Sequence, residues 1–399
     1  MENHLSPFSI TAADPDRNLM QIAKIIADAF THGECVEEIA QTYIRNCNYD
    51  WDVTRLIWDG QQLIHHWGVW GYPMRLGSVQ LQVAGVGAVT TKAEYRQRGL
   101  MKQAALASLE AMHDKGYDLS ILRGKHYVKY GYARAWNYIT YRLKREEIPA
   151  AQLIHPYQKL AGGQIAAMDS IYNATHQEFS GTAVRPTYRK KSAEDMSAYG
   201  WFNEEGLIGY VRAQPAEDEK DNLQCLEVAG DPRQALAVMS DLFKQGEYKT
   251  MTFFTLPPQH PLLQLIRTGN CTVETRYFSV SGWRVRIVNL HSTLEKIRPL
   301  LKARLNRSHL ADWQGHLLLD TGEQKAVLEI AHGDVHPAAA CATGHFIQGG
   351  AGIGRLLIGS DEPSEIIFQE NLTCSGDALQ LGLVLFPNMI PMLSQWDEC

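Results

Sequence analysis

The stretch from Val86 to Trp136 limits what this chain can fold into more than any other. It opens with the β-branched run Val86–Thr91 and passes through the turn Arg96-Gln97-Arg98-Gly99. Small or apolar residues then recur at Met101, Ala104, Ala105, Leu109 and Met112. That spacing predicts a helix over Leu100 to Lys115, ended by Gly116. A second strand is expected over Asp118–Arg123, followed by a short helix carrying Tyr127. The turn between first strand and helix has chemical consequences. A helix N-terminus presents unpaired amide N–H groups and about half a positive charge. Gly99 has no side chain to hold an anion away from them, and Arg96 and Arg98 can add charge-assisted hydrogen bonds. The amides of Gln97, Arg98, Gly99, Leu100, Met101 and Lys102 suit a phosphate or pyrophosphate there, although Arg and Gly at a helix start more often form only a solvated cap.

At 399 residues the chain is too long for one ordinary core, so two or three domains are expected. Its 45% hydrophobic and 21% charged residues are those of a soluble globular protein. No apolar run reaches the roughly 20 residues of a membrane span. The N-terminus also lacks the basic start and apolar core of a signal peptide. A cytoplasmic protein without a membrane partner is expected. Seven cysteines, odd in number and without a C-x-x-C pair, argue against a disulfide framework or structural zinc. His65-His66 lies in a strand, one ring to each face with no third ligand at usable spacing, so no metal is expected. The net charge of -6 argues against nucleic acid and is compatible with a small cationic substrate.

Along the chain, a strand at Phe8–Ala13 precedes helices over Asn18–Phe30 and Cys35–Arg45. A hairpin of Thr54–Asp59 with Gln62–Trp67 follows, then a meander to Thr91, and a strand Ala135–Leu143 that closes a first domain of residues 1–150. Residues 151–287 repeat the same order of strands and helices. Their turn Asp231-Pro232-Arg233-Gln234 has no glycine after an arginine, and Pro232 removes an amide donor, so no cofactor is expected there. Residues 288–399 begin with an amphipathic helix, Ser292–Leu305, and continue with the hairpin Gln314–Asp320/Lys325–Ile330 and short apolar helices. The fold class expected is α+β with mixed sheets.

Arg96, Gly99 and Met101 stand where GCN5-related N-acetyltransferases (GNAT) carry Arg/Gln-x-x-Gly-x-Gly/Ala, Met101 departing from the small last residue. With His126-Tyr127-Val128-Lys129-Tyr130-Gly131-Tyr132 the resemblance narrows to the Eis-like (enhanced intracellular survival) branch. It implies tandem acetyltransferase-like domains, the second degenerate, then a sterol-carrier-like domain. Acetyl-CoA would be the co-substrate, its pantetheine arm pairing with Val89, Thr90 and Thr91 beside Leu122 and Arg123. Tyr127 would be the general acid. The base would be the α-carboxylate of Cys399, delivered by the C-terminal tail, with Asp397 and Glu398 as alternatives. Asp28, His32 and Glu34 would border the acceptor pocket. Trp67, with Trp70 and Tyr72, would either wall that pocket or pack in the core. The resemblance further implies a hexamer. No cysteine lies near the motif, so direct transfer in a ternary complex is expected. The reading is N-acetyl transfer to a primary amine of a small aminoglycoside- or polyamine-like acceptor. The alternatives are a protein lysine acetyltransferase and a non-catalytic lipid-binding carrier.

Overall fold

The computed structural model describes residues 8–30, 35–161, 163–187, 197–254, 256–339 and 341–398. The first third runs β1 (Ser9–Ala12), α1 (Leu19–Phe30), α2 (Val36–Ile39), β2 (Arg55–Asp59), β3 (Gln62–Leu76), β4 (Val79–Thr91), α3 (Leu100–Asp114), β5 (Leu119–Arg123) and β6 (Ala133–Arg134). Next come β7 (Tyr138–Lys144), β8 (Tyr157–Lys159), α4 (Ile165–Thr175), β9 (Ala198–Asn203), β10 (Gly206–Pro215), β11 (Asn222–Ala229), α5 (Pro232–Gln245), β12 (Thr250–Phe254), α6 (Pro261–Ile266), β13 (Thr272–Arg276) and β14 (Trp283–Ile287). The last part is α7 (Leu290–Asn306), β15 (Gly315–Asp320), β16 (Lys325–Ala331), β17 (Asp334–Ala338), β18 (His345–Gln348), α8 (Gly352–Ile358), α9 (Pro363–Gln369), β19 (Thr373–Ser375) and α10 (Ala378–Leu385). The helix expected over Cys35–Arg45 is only one turn of α-helix, and Ala40–Arg45 widens into a π-type coil.

Three mixed sheets result, in the orders β1-β2-β3-β4-β5-β14-β6, β13-β7-β12-β11-β10-β9-β8 and β17-β16-β15-β18-β19. The first two exchange strands. The strand expected to close the first sheet, β7, lies between β12 and β13 of the second. Its place in the first is taken by β14, which pairs with β5 and β6. The reason is burial. Tyr141 and Leu143 of β7 pack with Met251 and Phe253 in the second core, while Trp283 and Val285 of β14 enter the first. Alternation along a strand says that one face is buried, and does not say in which sheet.

Helix α1 lays Leu19, Ile22, Ala23, Ile25 and Ile26 on the first sheet. Each fully buried Ile or Leu contributes about 2 kcal/mol. On the opposite face α3 buries Ala104, Ala105 and Ser108, small enough for close approach, and the Ser108 hydroxyl donates to the Val53 carbonyl at 2.7 Å. Helix α7 continues the α1-side core with Leu294, Ile297 and Leu301. It is tied to the first sheet by the buried carboxylate of Asp118, which accepts from Ser292 Oγ at 2.7 Å and Lys296 Nζ at 2.6 Å.

A second buried polar centre fastens the C-terminal tail. Arg185 donates to Glu227 at 2.9 and 2.6 Å and to Asp397 at 2.9 to 3.2 Å, and its guanidinium lies 3.5 Å from the Tyr172 ring centroid. Thr187 Oγ1 donates to Asp397, Ser394 Oγ and Tyr210 OH donate to Glu227, and the Trp396 ring lies between the guanidinium groups of Arg185 and Arg212. Asp397 is fully buried in these bonds. It anchors the tail, which corrects its candidacy as a base. Burial alone would raise the Glu227 carboxyl, but the Arg185 guanidinium overrides it and holds it well below the usual carboxylate range.

Replacing Arg185 by Met leaves two buried carboxylates without the guanidinium they share and should cost about 3 kcal/mol in urea unfolding. Lys249→Met, at an exposed pair with Asp221, should change stability by less than about 0.5 kcal/mol. Because the folded pKa of Glu227 is depressed, its contribution is complete above the unfolded value of about 4.3 and is lost as pH falls below it. The urea midpoint should therefore drop more steeply below about pH 4 in the wild type than in Glu227→Gln.

Candidate active site

Strands β4 and β5 pair in parallel only over Val83–Gly85 and Leu119–Ile121. Beyond that β5 stays with β14, whereas β4 follows β3 as far as Thr91. A wedge opens along the β4 segment 86–91, where an extended amide chain can pair like an added strand. Ala88 sits in this segment with a left-handed φ of 49°, opposite a register shift between His66 and Gly68. Two buried histidines set that geometry. His66 Nδ1 faces the Ala88 carbonyl at 2.8 Å, so it carries the proton, and Nε2 accepts from Tyr49 OH at 2.8 Å. On the other face, His65 Nδ1 lies 2.7 Å from Thr91 Oγ1. Burial lowers His65 to about 3 and His66 to about 4, so both rings are neutral. The sequence reading treated this pair as ordinary strand residues. In the sequence their only signal is two adjacent imidazoles within a strand.

At the mouth of the wedge lies a cleft of about 490 Å³. Thr91, Arg96, Gln97, Gly99, Leu100, Met101 and Lys102 line it, with Lys129 and Tyr130 opposite. Gly99 caps α3 at φ 76°, and a Cβ built there would meet nothing within 4 Å. The glycine thus leaves open space in front of the first helical amides, which fits a pyrophosphate. Arg96 Nε donates to the Thr91 carbonyl at 3.2 Å. Arg98 donates to the Glu94 carbonyl at 3.1 Å and lies 5.1 Å from the Tyr95 ring centroid, so its guanidinium stacks beside the turn. Of the residues expected along the pantetheine arm, Val89 and Thr91 are half-buried, while Thr90 and Leu122 are buried.

Tyr127 sits on the short 3-10 turn Lys125–Tyr130, between Gly124 and Gly131, both at positive φ. Its ring meets Trp67 edge-on at 5.7 Å and Tyr132 at 6.4 Å, and Tyr132 OH is 2.7 Å from Ser120 Oγ. Trp67 is fully buried. It backs the Tyr127 ring and does not wall an acceptor pocket, because its position on β3 faces the core under α3. Trp70 and Tyr72 pack in the core on the α1 side.

The structure brings the tail to this region. Glu398 accepts from Arg123 Nη1 at 2.9 Å and from Tyr138 OH at 2.8 Å, and Arg123 also lies over the Trp283 ring. Burial raises the Glu398 carboxyl, against the pull of Arg123. Both its oxygens are engaged, so it holds the tail at the end of β5, one residue before Gly124. Tyr138 and Trp283, which form this grip, were not among the expected site residues, since they come from the two exchanged strands. Asp28 is exposed on α1 and paired with Lys24 at 3.5 Å. His32, Glu34 and Cys399 lie outside the described residues. Among the described residues no three His, Cys, Asp or Glu side chains gather where they could hold a metal ion.

Residues 15–135 match the model of the acetyltransferase (GNAT) domain. Over nearly the whole chain the fold is similar to that of a GCN5-related N-acetyltransferase from Anabaena variabilis ATCC 29413 (17% identity, TM-score 0.73). It is also similar to one from Kribbella flavida (17%, 0.69) and to an Eis protein from Mycobacterium abscessus (14%, 0.67). Each of these alignments covers 97% of this chain and 99% of the other. No curated protein matches the chain in sequence.

Gly99→Ala tests the cleft. The left-handed φ should cost about 1 kcal/mol of stability, and the new methyl would stand in the open space before the amides. Affinity for coenzyme A, read by calorimetry, should fall on the order of tenfold while the protein stays folded.

Proposed function

We propose that the acetyltransferase domain at residues 15–135 makes this chain an acetyl-CoA-dependent N-acetyltransferase acting on a primary amine of a small cationic acceptor. The observation that carries the reading is the coincidence of two features. A glycine-capped helix N-terminus faces a cleft beside the stretch of β4 whose β5-side edge is open, and the Tyr127 segment begins where β5 leaves that wedge. The thioester supplies the activated acetyl group. The amides from Gln97 to Lys102, with Arg96 at the cleft wall, hold the pyrophosphate. Val89 and Thr91 offer backbone groups to the pantetheine arm, and the His65–Thr91 and His66–Ala88 contacts keep that stretch of β4 in one shape. Direct transfer in a ternary complex needs an acid at the departing sulfur and a base at the amine. Tyr127 is the proposed acid, since a phenol of reference pKa about 10 can donate to a thiolate of comparable basicity.

For the base we retain a carboxylate at Cys399. The support is the docking of Glu398 on Arg123 and Tyr138, which leads the tail to the end of β5. The sterol-carrier likeness of the third unit and a hexameric assembly belong to the same proposal, resting on resemblance.

Tyr127→Phe should lower kcat on the order of a hundredfold and leave acetyl-CoA affinity within about twofold; unchanged turnover would remove the acid assignment. Glu398→Ala should leave the Asp397 anchor in place and free only the chain end beyond it, lowering kcat with little change in coenzyme A affinity. A panel of small amines beside lysine peptides then separates the acceptor classes. Well-folded protein that binds no acetyl-CoA but retains lipid would overturn the enzyme reading.

A further inference from the structure

Strand β13 forms one edge of the second sheet and pairs only with β7, in unbroken register over its five residues. All five side chains are exposed, on both faces of the sheet. Val273, Tyr277 and Val280 are respectively 49%, 58% and 52% exposed. An open edge of this kind presents a row of N–H and C=O groups, and natural sheets guard it with Pro, a bulge or unpaired charges, especially Lys. The run Thr272-Val273-Glu274-Thr275-Arg276 has no Pro, Lys or bulge, and its two charges, Glu274 and Arg276, are opposite in sign and paired with each other. What it has is self-complementarity.

We propose that β13 is a seam at which a second copy of this chain pairs antiparallel about a two-fold axis through Thr275, joining the two second sheets into one. The register follows from side-chain chemistry. A two-fold perpendicular to a sheet must place one residue opposite itself, because directly opposed residues point to the same face. Centring on Glu274 sets Glu against Glu, and centring on Arg276 sets Arg against Arg, both unfavourable. Centring on Thr275 sets Glu274 opposite Arg276 of the second copy, twice by symmetry. The same register sets Val273 opposite Tyr277 of the second copy, again twice. Within one chain Arg276 Nε already donates to Glu274 Oε1 at 2.6 Å, with both side chains more than half exposed. Pairing would make four alternating charges on one face. On the other face it would cover the apolar pair, with Tyr277 steadied by the Arg134 guanidinium 5.1 Å from its ring.

The test is sedimentation of the full chain combined with charge reversal. Wild type should self-associate with an even number of copies. Glu274→Arg and Arg276→Glu should each halve the particle mass, with circular dichroism unchanged. Mixing the two variants one to one should restore it, because each chain then meets the opposite charge. Thr275→Cys adds a geometric readout. Opposed Cα atoms lie about 5 Å apart, within disulfide range, so mild oxidation should give a crosslinked dimer that wild type does not form. A monomeric wild type, single variants that keep the wild-type mass, or an associating Thr275→Cys protein that does not crosslink would each overturn the proposal. In the last two cases the edge would serve another partner or none.

Discussion

The guanidinium of Arg185 is the group on which the arrangement of this molecule depends. It is fully buried, and its donors are shared between Glu227 on β11 and Asp397 in the tail. Among the described residues no other cation lies at hydrogen-bonding distance from either carboxylate, Arg212 standing 3.8 Å from Glu227. A charge this deep is tolerated only where every hydrogen-bonding direction is filled. The geometry that fills them also fixes the tail. With Asp397 held, the next residue has little freedom, and Glu398 falls onto Arg123 and Tyr138 at the end of β5. A cluster inside the second unit thereby sets what stands beside the cleft of the first.

The cleft itself is built from small departures from regular structure. β4 and β5 separate after three residue pairs, Ala88 takes a left-handed turn, and Gly99 takes another before α3. Each leaves backbone groups facing outward that a regular sheet or a capped helix would consume. Neutral buried imidazoles are suited to holding such a shape, because a His fixed in one tautomer can donate to a carbonyl on one side and accept a hydroxyl on the other, as His66 does.

Much of this was legible in the sequence, for identifiable reasons. The 3.6-residue spacing of Ala104, Ala105, Leu109 and Met112 gave α3 to within a residue, and Gly99 marked its start. Periods are local, and so are caps. The Arg185–Asp397 contact joins residues 212 positions apart, and nothing near either one announces the other. Trp67 and Trp70 look alike in sequence, yet their odd and even places on β3 send them into different cores, and only Trp67 meets Tyr127. The strand at Tyr138–Lys144 was visible as a strand, but its sheet was not, because alternation is indifferent to which neighbour supplies the hydrogen bonds.

The exchange of β7 and β14 has a consequence for the order of events during synthesis. When the ribosome has delivered residue 150, the first sheet still lacks the strand between β5 and β6, and the chain already holds a strand belonging to a sheet not yet made. The first sheet is complete only after Ile287 emerges. It closes through pairs such as Leu122 with Arg284, 162 positions apart. Folding from one end, unit by unit, is the usual economy of long chains. This one must instead commit its first two-thirds together, and slowly, as pairings of high sequence separation demand.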